Sequence, residues 1–475
     1  MRCCLISLFV FMSVRLPASA AEPEALVLLI GDQHSAYERT AQLVAKVDEL
    51  KAAHPGLPLA ILLDGDTLEY GNIVARRSGG AVDFAMFAAL AKRAPTILNL
   101  GNHEPEFYDL AETVQRVQAT GVTVVSNIVN HATGQPFAPA STKLNLGREE
   151  AVVVGVTTDH LSTYRVAVRP SLDLANPVVW AKANFPILLE VERADPSAPF
   201  SATDTRQRTG VSARHPSIAI VLSHAGVAAD RQMLPLVPDG TLFAGAHDHL
   251  RFVQPVGRGV YVHSGSWNEY LTLAWLRRDA VGAPRWEIEQ VRLATAAPAD
   301  AELAGFIRET KAKHLTAEDT AVIGRNAAEL SPPEAARFVA RALREGAGVD
   351  AAFIGNTTFG AGLPAGPVTR VDFDACVRFD GTIFVAEVDG GRLQEFLAAA
   401  NQGPETPFGQ RQGEFCFADG PSGIDPARRY RIATTDWGAR NSAKYFGAAP
   451  LAWQELPGWK LKGLAAAALQ ASPAK

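Results

Sequence analysis

ALVLLIGDQH (25–34) is a short run of mostly branched apolar residues that breaks at a glycine and ends in an Asp-x-His pair. The same plan recurs in LAILLDGD (59–66), TILNLGNHE (96–104), IAIVLSHAG (218–226) and TLFAGAHDH (241–249). Runs this short and apolar throughout read as strands buried on both faces. Between them, ERTAQLVAKVDELKAA (38–53) and VDFAMFAALAKR (82–93) carry apolar residues at helical spacing. Strand alternating with helix predicts βαβ units and a parallel sheet covered on its faces. In such sheets ligands bind just beyond the carboxyl ends of the strands, which is where all five polar endings fall.

The residue types at those endings narrow the chemistry. Asp32 and His34 are two apart, so in extended chain they point the same way and can hold one ion. His247 and His249 repeat that spacing. Asp66 adds a carboxylate able to bridge two ions, and Asn102 offers a neutral amide oxygen. Glycines beside these residues let the backbone turn sharply and let ions approach closely. Imidazole mixed with carboxylate suits Zn, Mn, Fe, Ni or Co better than Ca or Mg. No cysteine lies near the motifs, so thiolate ligation is not expected. Two ions about 3.5–4 Å apart would clamp a phosphoryl group and activate a water. A lone histidine at a strand end is ordinarily structural, but five of the eleven histidines fall in this one ordered set. His263 reads as structural, and His54, His131, His160, His215 and His314 have no constellation around them.

The ordered set D-x-H, G-D, G-N-H-E, S-H and G-x-H-x-H resembles the calcineurin-like metallophosphoesterases. Within them it is most similar to the secreted bacterial 5′-nucleotidase and UDP-sugar hydrolase branch. VVVGVTTDHLS (152–162) is similar to that branch's strand between the third and fourth motifs. The resemblance implies an α/β chain (α+β overall). A metallophosphoesterase β-sandwich of mixed sheets flanked by helices would precede a smaller α/β substrate-binding domain. It implies one metal held by Asp32, His34, Asp66 and His249, and another held by Asp66, Asn102, His224 and His247. His103 would then be catalytic rather than a ligand, stabilising charge or protonating the leaving oxygen. The family pairs this histidine with an aspartate three residues on. Here Glu106 stands in that place, with Asp109 as the lesser alternative.

Composition fits a large enzyme. A chain of 475 residues with 47% hydrophobic content can bury more than one core. Its net charge of −5 comes with no basic stripe, so no nucleic-acid-binding surface is expected. Arg2, the apolar stretch LISLFVFMSV (5–14) and the small-x-small triplet Ala18–Ala20 read as a cleavable signal peptide. That stretch is too short to span a membrane. The expected location is the periplasm or outside the cell. Cys3 and Cys4 would leave with the leader, and the pairing of Cys376 with Cys416 stays open.

The second half has another texture. Strand-like WEIEQVRLA (286–294) gives way to the Ala/Pro stretch TAAPADAE (295–302) and helical ELAGFIRETKAKHL (302–315). The expected organisation is a leader over 1–20, a catalytic domain over 21–297, a linker helix over 298–319 and a C-terminal domain over 320–475. Residues 321–356, 366–397 and 430–447 resemble the 5′-nucleotidase C-terminal domain, which contacts the substrate's base or sugar. Where that family has Asn followed by Gly-Gly-Ile-Arg, this chain has Asn356-Thr357-Thr358-Phe359-Gly360, so the substrate arginine is missing. Arg370 and Arg378 are nearby candidates to replace it. Tyr445 or Phe446 is a candidate to stack on a base, with Phe408, Phe415 or Phe417 as the opposite wall, and Asn356 as a further contact. The expected function is two-metal hydrolysis of phosphate esters, 5′-nucleotides or related compounds first. The alternatives are a cyclic-nucleotide or other phosphodiesterase, an enzyme similar to the sulfur-oxidation thiohydrolases, and a non-catalytic binding protein on the same scaffold.

Overall fold

The computed structural model describes residues 22–189 and 218–471, so the leader expected over 1–20 lies outside the described residues. Two six-stranded sheets dominate the first half. One runs, edge to edge, Pro284–Arg292, Tyr270–Arg278, Ala25–Gly31, Leu59–Asp64, Thr96–Asn99 and Thr123–Val125. The other runs Arg251–Val256, Gly259–Ser264, Leu242–Gly245, Ile218–His224, Glu149–Thr157 and Ser141–Leu146. The sequence reading of one parallel sheet is corrected here. The strands that end in motifs are paired in parallel, but they are split between two sheets. Each sheet also carries antiparallel hairpins at an edge, as the β-sandwich implied by the resemblance requires.

Side-chain alternation explains why both faces of the motif strands are apolar. Along Ala25–Gly31, Ala25, Val27 and Leu29 face the second sheet and pack on Ile220, Leu222, Ala244 and Val262. Leu26, Leu28 and Ile30 face the other way, onto Leu43, Val44 and Val47 of helix Thr40–Ala53 and Phe87 of helix Ala81–Ala91. Each fully buried side chain of this kind contributes about 1.5–3 kcal/mol, so a register slip that exposed one face would be costly. The carboxyl ends of the two sheets are thereby held side by side.

A buried asparagine stitches them together. Asn99 Nδ2 donates to Asp64 Oδ1 (2.8 Å) in its own sheet, and to the carbonyls of Val156 (2.9 Å) and Leu222 (3.1 Å) in the other. Asp64 is thereby drawn into the sandwich, and burial pushes its carboxyl up to about 7.

Helix Ala301–His314, N-capped by Asp300, leads into the second half. There a five-stranded mixed sheet runs Cys416–Asp419, Ala351–Gly355, Arg429–Thr435, Thr382–Asp389 and Gln454–Lys460. Helix Pro332–Ala347, started by a Ser331/Glu334 capping box, packs on it. One hydrophobic cluster runs unbroken from Val154, Phe243 and Phe252 of the first half to Ala336, Ile354 and Phe417 of the second. The two halves are therefore docked through apolar contact. Cys376 and Cys416 are buried free thiols. Among the described residues no helix is long and apolar enough to cross a membrane.

Candidate metal centre

Beyond their last ladder residues the motif strands continue as tight loops that hold one another. Asp32 N–H donates to Gly65 O (3.2 Å) and His34 N–H donates to Asp66 O (2.9 Å). Asp32, His34, Asp66, His247 and His249 all adopt left-handed backbone, with φ between 50° and 77°. For residues other than glycine this conformation is uncommon, and its concentration at one place is a mark of a functional site. It also corrects one sequence argument. Asp32 and His34 do not converge by alternation in extended chain; each is turned inward by its own strained residue.

Glycine is needed where the loops cross. Gly65 has φ 70°, and a Cβ there would lie 2.6 Å from His224 Nδ1 and 2.8 Å from Gly101 Cα. Glu104 then ties the crossing together. Its buried carboxylate accepts the backbone N–H groups of Asp66 (3.0 Å), Thr67 (2.8 Å) and Gly101 (2.6 Å). Glu104→Ala should leave three buried donors unsatisfied and lower unfolding free energy by about 2–4 kcal/mol, measured by urea denaturation. An unchanged denaturation midpoint would refute this role.

The ligand-type atoms converge in overlapping groups. Asp32, His34 and His249 form one, and Asp66, His224 and His247 form another, with the atoms of each within 4.8 Å of one another. His34, Asp66 and His103 form a third group of the same size. His34 Nε2 lies 2.9 Å from His249 Nε2, and His224 Nε2 lies 3.1 Å from Asp66 Oδ2. Asn102 Oδ1, His224 Nε2 and His247 Nδ1 are buried and have no hydrogen-bond partner. Buried polar atoms are seldom orphaned unless something else satisfies them. Two imidazole nitrogens facing each other, flanked by carboxylates and orphaned acceptors, fit divalent cations well.

Neighbours set the orientation of two of these imidazoles. His224 Nδ1–H donates to Asp64 O (2.8 Å), which turns Nε2 toward Asp66. His34 Nδ1–H donates to Glu69 Oε2 (3.1 Å), which turns Nε2 toward His249. Such outer partners set tautomer and orientation in metal sites. Burial, reinforced by neighbouring cationic groups, holds His34 down to about 4 and His247 down to about 3, so both are neutral. Burial would lower His224 too, but the carboxylates of Asp66, Asp32 and Asp64 outweigh it and hold that imidazole well above its usual range.

His103 stands at the rim. Its Nδ1 is 2.8 Å from Glu106 Oε1, and its Nε2 is 3.9 Å from Asp66 Oδ2. Burial opposes its charge, yet Asp66, Glu69 and Glu106 together push it up to about 9. Asp109, the other carboxylate considered for this pairing, instead caps helix Leu110–Ala119 by accepting Glu112 N–H (2.8 Å). Tyr261, Asp230 and His263 form a separate buried hydrogen-bonded set, in keeping with a structural His263.

A cleft of about 1720 Å³ opens over the centre, lined from the first half by His103, Arg165 and Tyr70 and from the second by Arg378, Phe379 and Trp437. The aromatic clamp expected from the sequence is not assembled there. Phe446 is 2% exposed, inside the C-terminal core against Phe353 and Phe396. Tyr445 OH accepts from Trp437 Nε1 (3.4 Å). Phe408 packs on Phe252 and Tyr261, while Phe415 and Phe417 pack on each other in the core. Asn356 is used by backbone, donating to Gly413 O (3.0 Å). Arg370 begins helix Arg370–Cys376, and Arg378 reaches the centre itself. Sequence reading missed Glu69, Glu104 and Asn99. All three lie within three residues of a ligand candidate, which is the only signal that would have marked them.

Residues 25–141 match the calcineurin-like phosphoesterase family, and residues 311–416 match the 5′-nucleotidase C-terminal domain. No curated protein matches the chain. Among solved structures it is similar to a 5′-nucleotidase precursor from Thermus thermophilus, at 17% identity and TM-score 0.57, covering 94% of this chain and 96% of that one. It is similar to a sulfate thiohydrolase from the same organism at 16% identity and TM-score 0.58, covering 96% and 95%. A 5′-nucleotidase from Candida albicans gives 13% identity and TM-score 0.56, covering 94% and 98%. At these identities the likeness is one of fold.

Proposed function

Because this chain joins a calcineurin-like phosphoesterase domain to a 5′-nucleotidase C-terminal domain and is a metal-dependent phosphoester hydrolase, we propose that it cleaves phosphate from 5′-nucleotides or related nucleotide compounds. The observation that carries the proposal is the convergence of orphaned imidazole and amide atoms with the carboxylates of Asp32 and Asp66 at the floor of one cleft, with the His103–Glu106 pair beside them. Asp32, His34, Asp66 and His249 would hold one divalent cation. Asp66, Asn102, His224 and His247 would hold a second, of Zn, Mn, Fe, Ni or Co. When bound, such cations supply Lewis acidity to phosphoryl oxygens and make water a competent nucleophile near neutral pH. His103, oriented through Nδ1 by Glu106, carries a proton at Nε2 for the leaving alkoxide. Phe379 and Trp437, 57% and 48% exposed, offer flat faces for a base.

The same proposal divides the chain into a catalytic domain over 21–297, a linker helix over 298–319 and a substrate-binding domain over 320–475. The leader-like residues 1–20 support export to the periplasm or beyond. The absence of arginine from Asn356–Gly360 leaves the leaving group less defined than the phosphoryl chemistry. The deciding experiment is metal analysis of the mature protein together with a panel of nucleoside monophosphates, cyclic and linear diesters, sugar-linked diphosphates and protein-borne sulfonates. Two transition-metal ions per chain and phosphate release from monophosphates are expected. EDTA should abolish turnover, and Mn²⁺ or Zn²⁺ should restore it. Turnover indifferent to the chelator would sink the two-cation reading; release of phosphate only from diesters, or cleavage only of sulfonates, would replace the nucleotide assignment.

A further inference from the structure

Arg378 was a candidate for the missing substrate arginine, yet its side chain is already engaged. It is 6% exposed, and its guanidinium forms an ion pair with Glu69, whose side chain is 3% exposed. Glu69 Oε1 accepts Gly71 N–H (2.6 Å), and Oε2 takes both the Arg378 contact and the Nδ1–H of His34 (3.1 Å). A chain of contacts therefore runs from the second half of the protein, through one carboxylate, to a ligand candidate in the first.

A second contact runs beside it. The Arg378 guanidinium lies 5.4 Å from the Trp267 ring centroid, and that ring stacks on His34 at 4.9 Å with 24° between planes. Trp267 is in left-handed backbone (φ 60°), and its N–H donates to Asp32 O (2.8 Å). So Arg378 touches both groups that orient His34. The altered segment Asn356–Gly360 makes this approach possible. Arg378 N–H donates to Thr358 O (3.0 Å) and Gly360 N–H donates to Cys376 O (2.9 Å). A Cβ at Gly360 would lie 2.8 Å from both Trp267 Cζ2 and Arg378 Cδ.

Resting on the two-cation reading, we propose that Glu69 is a positioning residue for the His34 metal site and that Arg378 locks it, so that docking of the C-terminal domain and cation binding at that site are thermodynamically linked. Removing the Glu69 carboxylate frees the His34 ring to rotate and to choose the other tautomer. Removing the Arg378 guanidinium leaves Glu69 buried with one cationic partner fewer. By reciprocity, a domain contact that strengthens cation binding is itself strengthened by it.

The test is calorimetric titration of the full mature chain, stripped of metal, with Mn²⁺ or Zn²⁺, with circular dichroism to verify folding. Glu69→Ala should weaken one of the two cation sites by about 10–100-fold and leave the other near wild type. Glu69→Gln, which keeps an acceptor, should recover part of the loss. Arg378→Ala should weaken the same site by a smaller factor, and the loss in the double variant should fall short of the product of the two single losses, because Arg378 acts in part through the Glu69 carboxylate. Should Arg378→Ala misfold, Arg378→Lys, which keeps the charge without the planar fork, should show the same weakening in smaller measure. Equal affinity in wild type and Glu69→Ala overturns the proposal, as do losses that multiply in the double variant. Wild-type protein that takes up no cation would overturn the two-cation reading, and this inference with it.

Discussion

Asp66→Ala should reduce turnover by about 10³-fold or more and leave the protein with one divalent cation or none. Among the proposed ligands only Asp66 serves both sites, so its loss damages both together. Its carboxylate faces His224 Nε2 at 3.1 Å and accepts the backbone N–H of His103 at 2.7 Å, so it also fixes the approach of the histidine proposed as the acid. Stabilisation by bound cations is worth several kcal/mol in such reactions, and each 1.36 kcal/mol is a factor of ten. Asp66 sits at φ 52°, a conformation that asparagine tolerates and alanine does not favour. Asp66→Asn therefore separates the two effects. It should keep near-native stability while losing the charge that holds the cations. Metal analysis and kcat on both variants decide the matter: two ions and full turnover in either would refute the bridging role.

Much of this candidate centre was legible because a set of ligand-type residues at strand ends is local in sequence. Asp32, His34, Asp66, Asn102, His224, His247 and His249 each stand within five residues of the apolar run that carries them, and those runs became strands within two residues of the expected bounds. What could not be read was anything set by the meeting of distant segments. That the motif strands belong to two sheets depends on pairings between separate segments, such as Glu149–Thr157 with Ile218–His224, which place the later motif strands in the second sheet. Asn99 is the one polar side chain late in the run TILNL, and its role exists only where both sheets converge on it. The aromatic residues failed as a group for a different reason. Phe408, Phe415, Phe417 and Phe446 carry no mark that separates a core ring from a stacking one, and the core claimed them. Arg378 shows the opposite case: its position was noticed, but its partner Glu69, more than three hundred residues away, could not be.

His103→Ala should lower kcat by about 10²–10⁴-fold while metal content stays near normal. The argument rests on how the imidazole is held. Nδ1 lies 2.8 Å from Glu106 Oε1, which leaves Nε2 for the cleft, and although burial opposes its charge, Asp66, Glu69 and Glu106 push the imidazole up to about 9, which suits a proton donor. The geometry by itself admits the competing role, since a His103 nitrogen also falls within 4.8 Å of atoms of His34 and Asp66. Metal content therefore discriminates, where activity alone would not. Loss of a cation in His103→Ala would make it a ligand and move the acid elsewhere. Glu106→Gln supplies the finer control. Its amide can still contact Nδ1 but no longer carries the charge that favours imidazolium. It should give an intermediate loss, least severe for substrates with good leaving groups, because proton delivery matters least when the departing oxygen is already stable. A nitrophenyl phosphate compared with a nucleoside monophosphate reads this directly: the loss in both His103→Ala and Glu106→Gln should shrink on the activated ester. An equal loss on both substrates would assign the pair to positioning the phosphoryl group, and not to protonating its leaving oxygen.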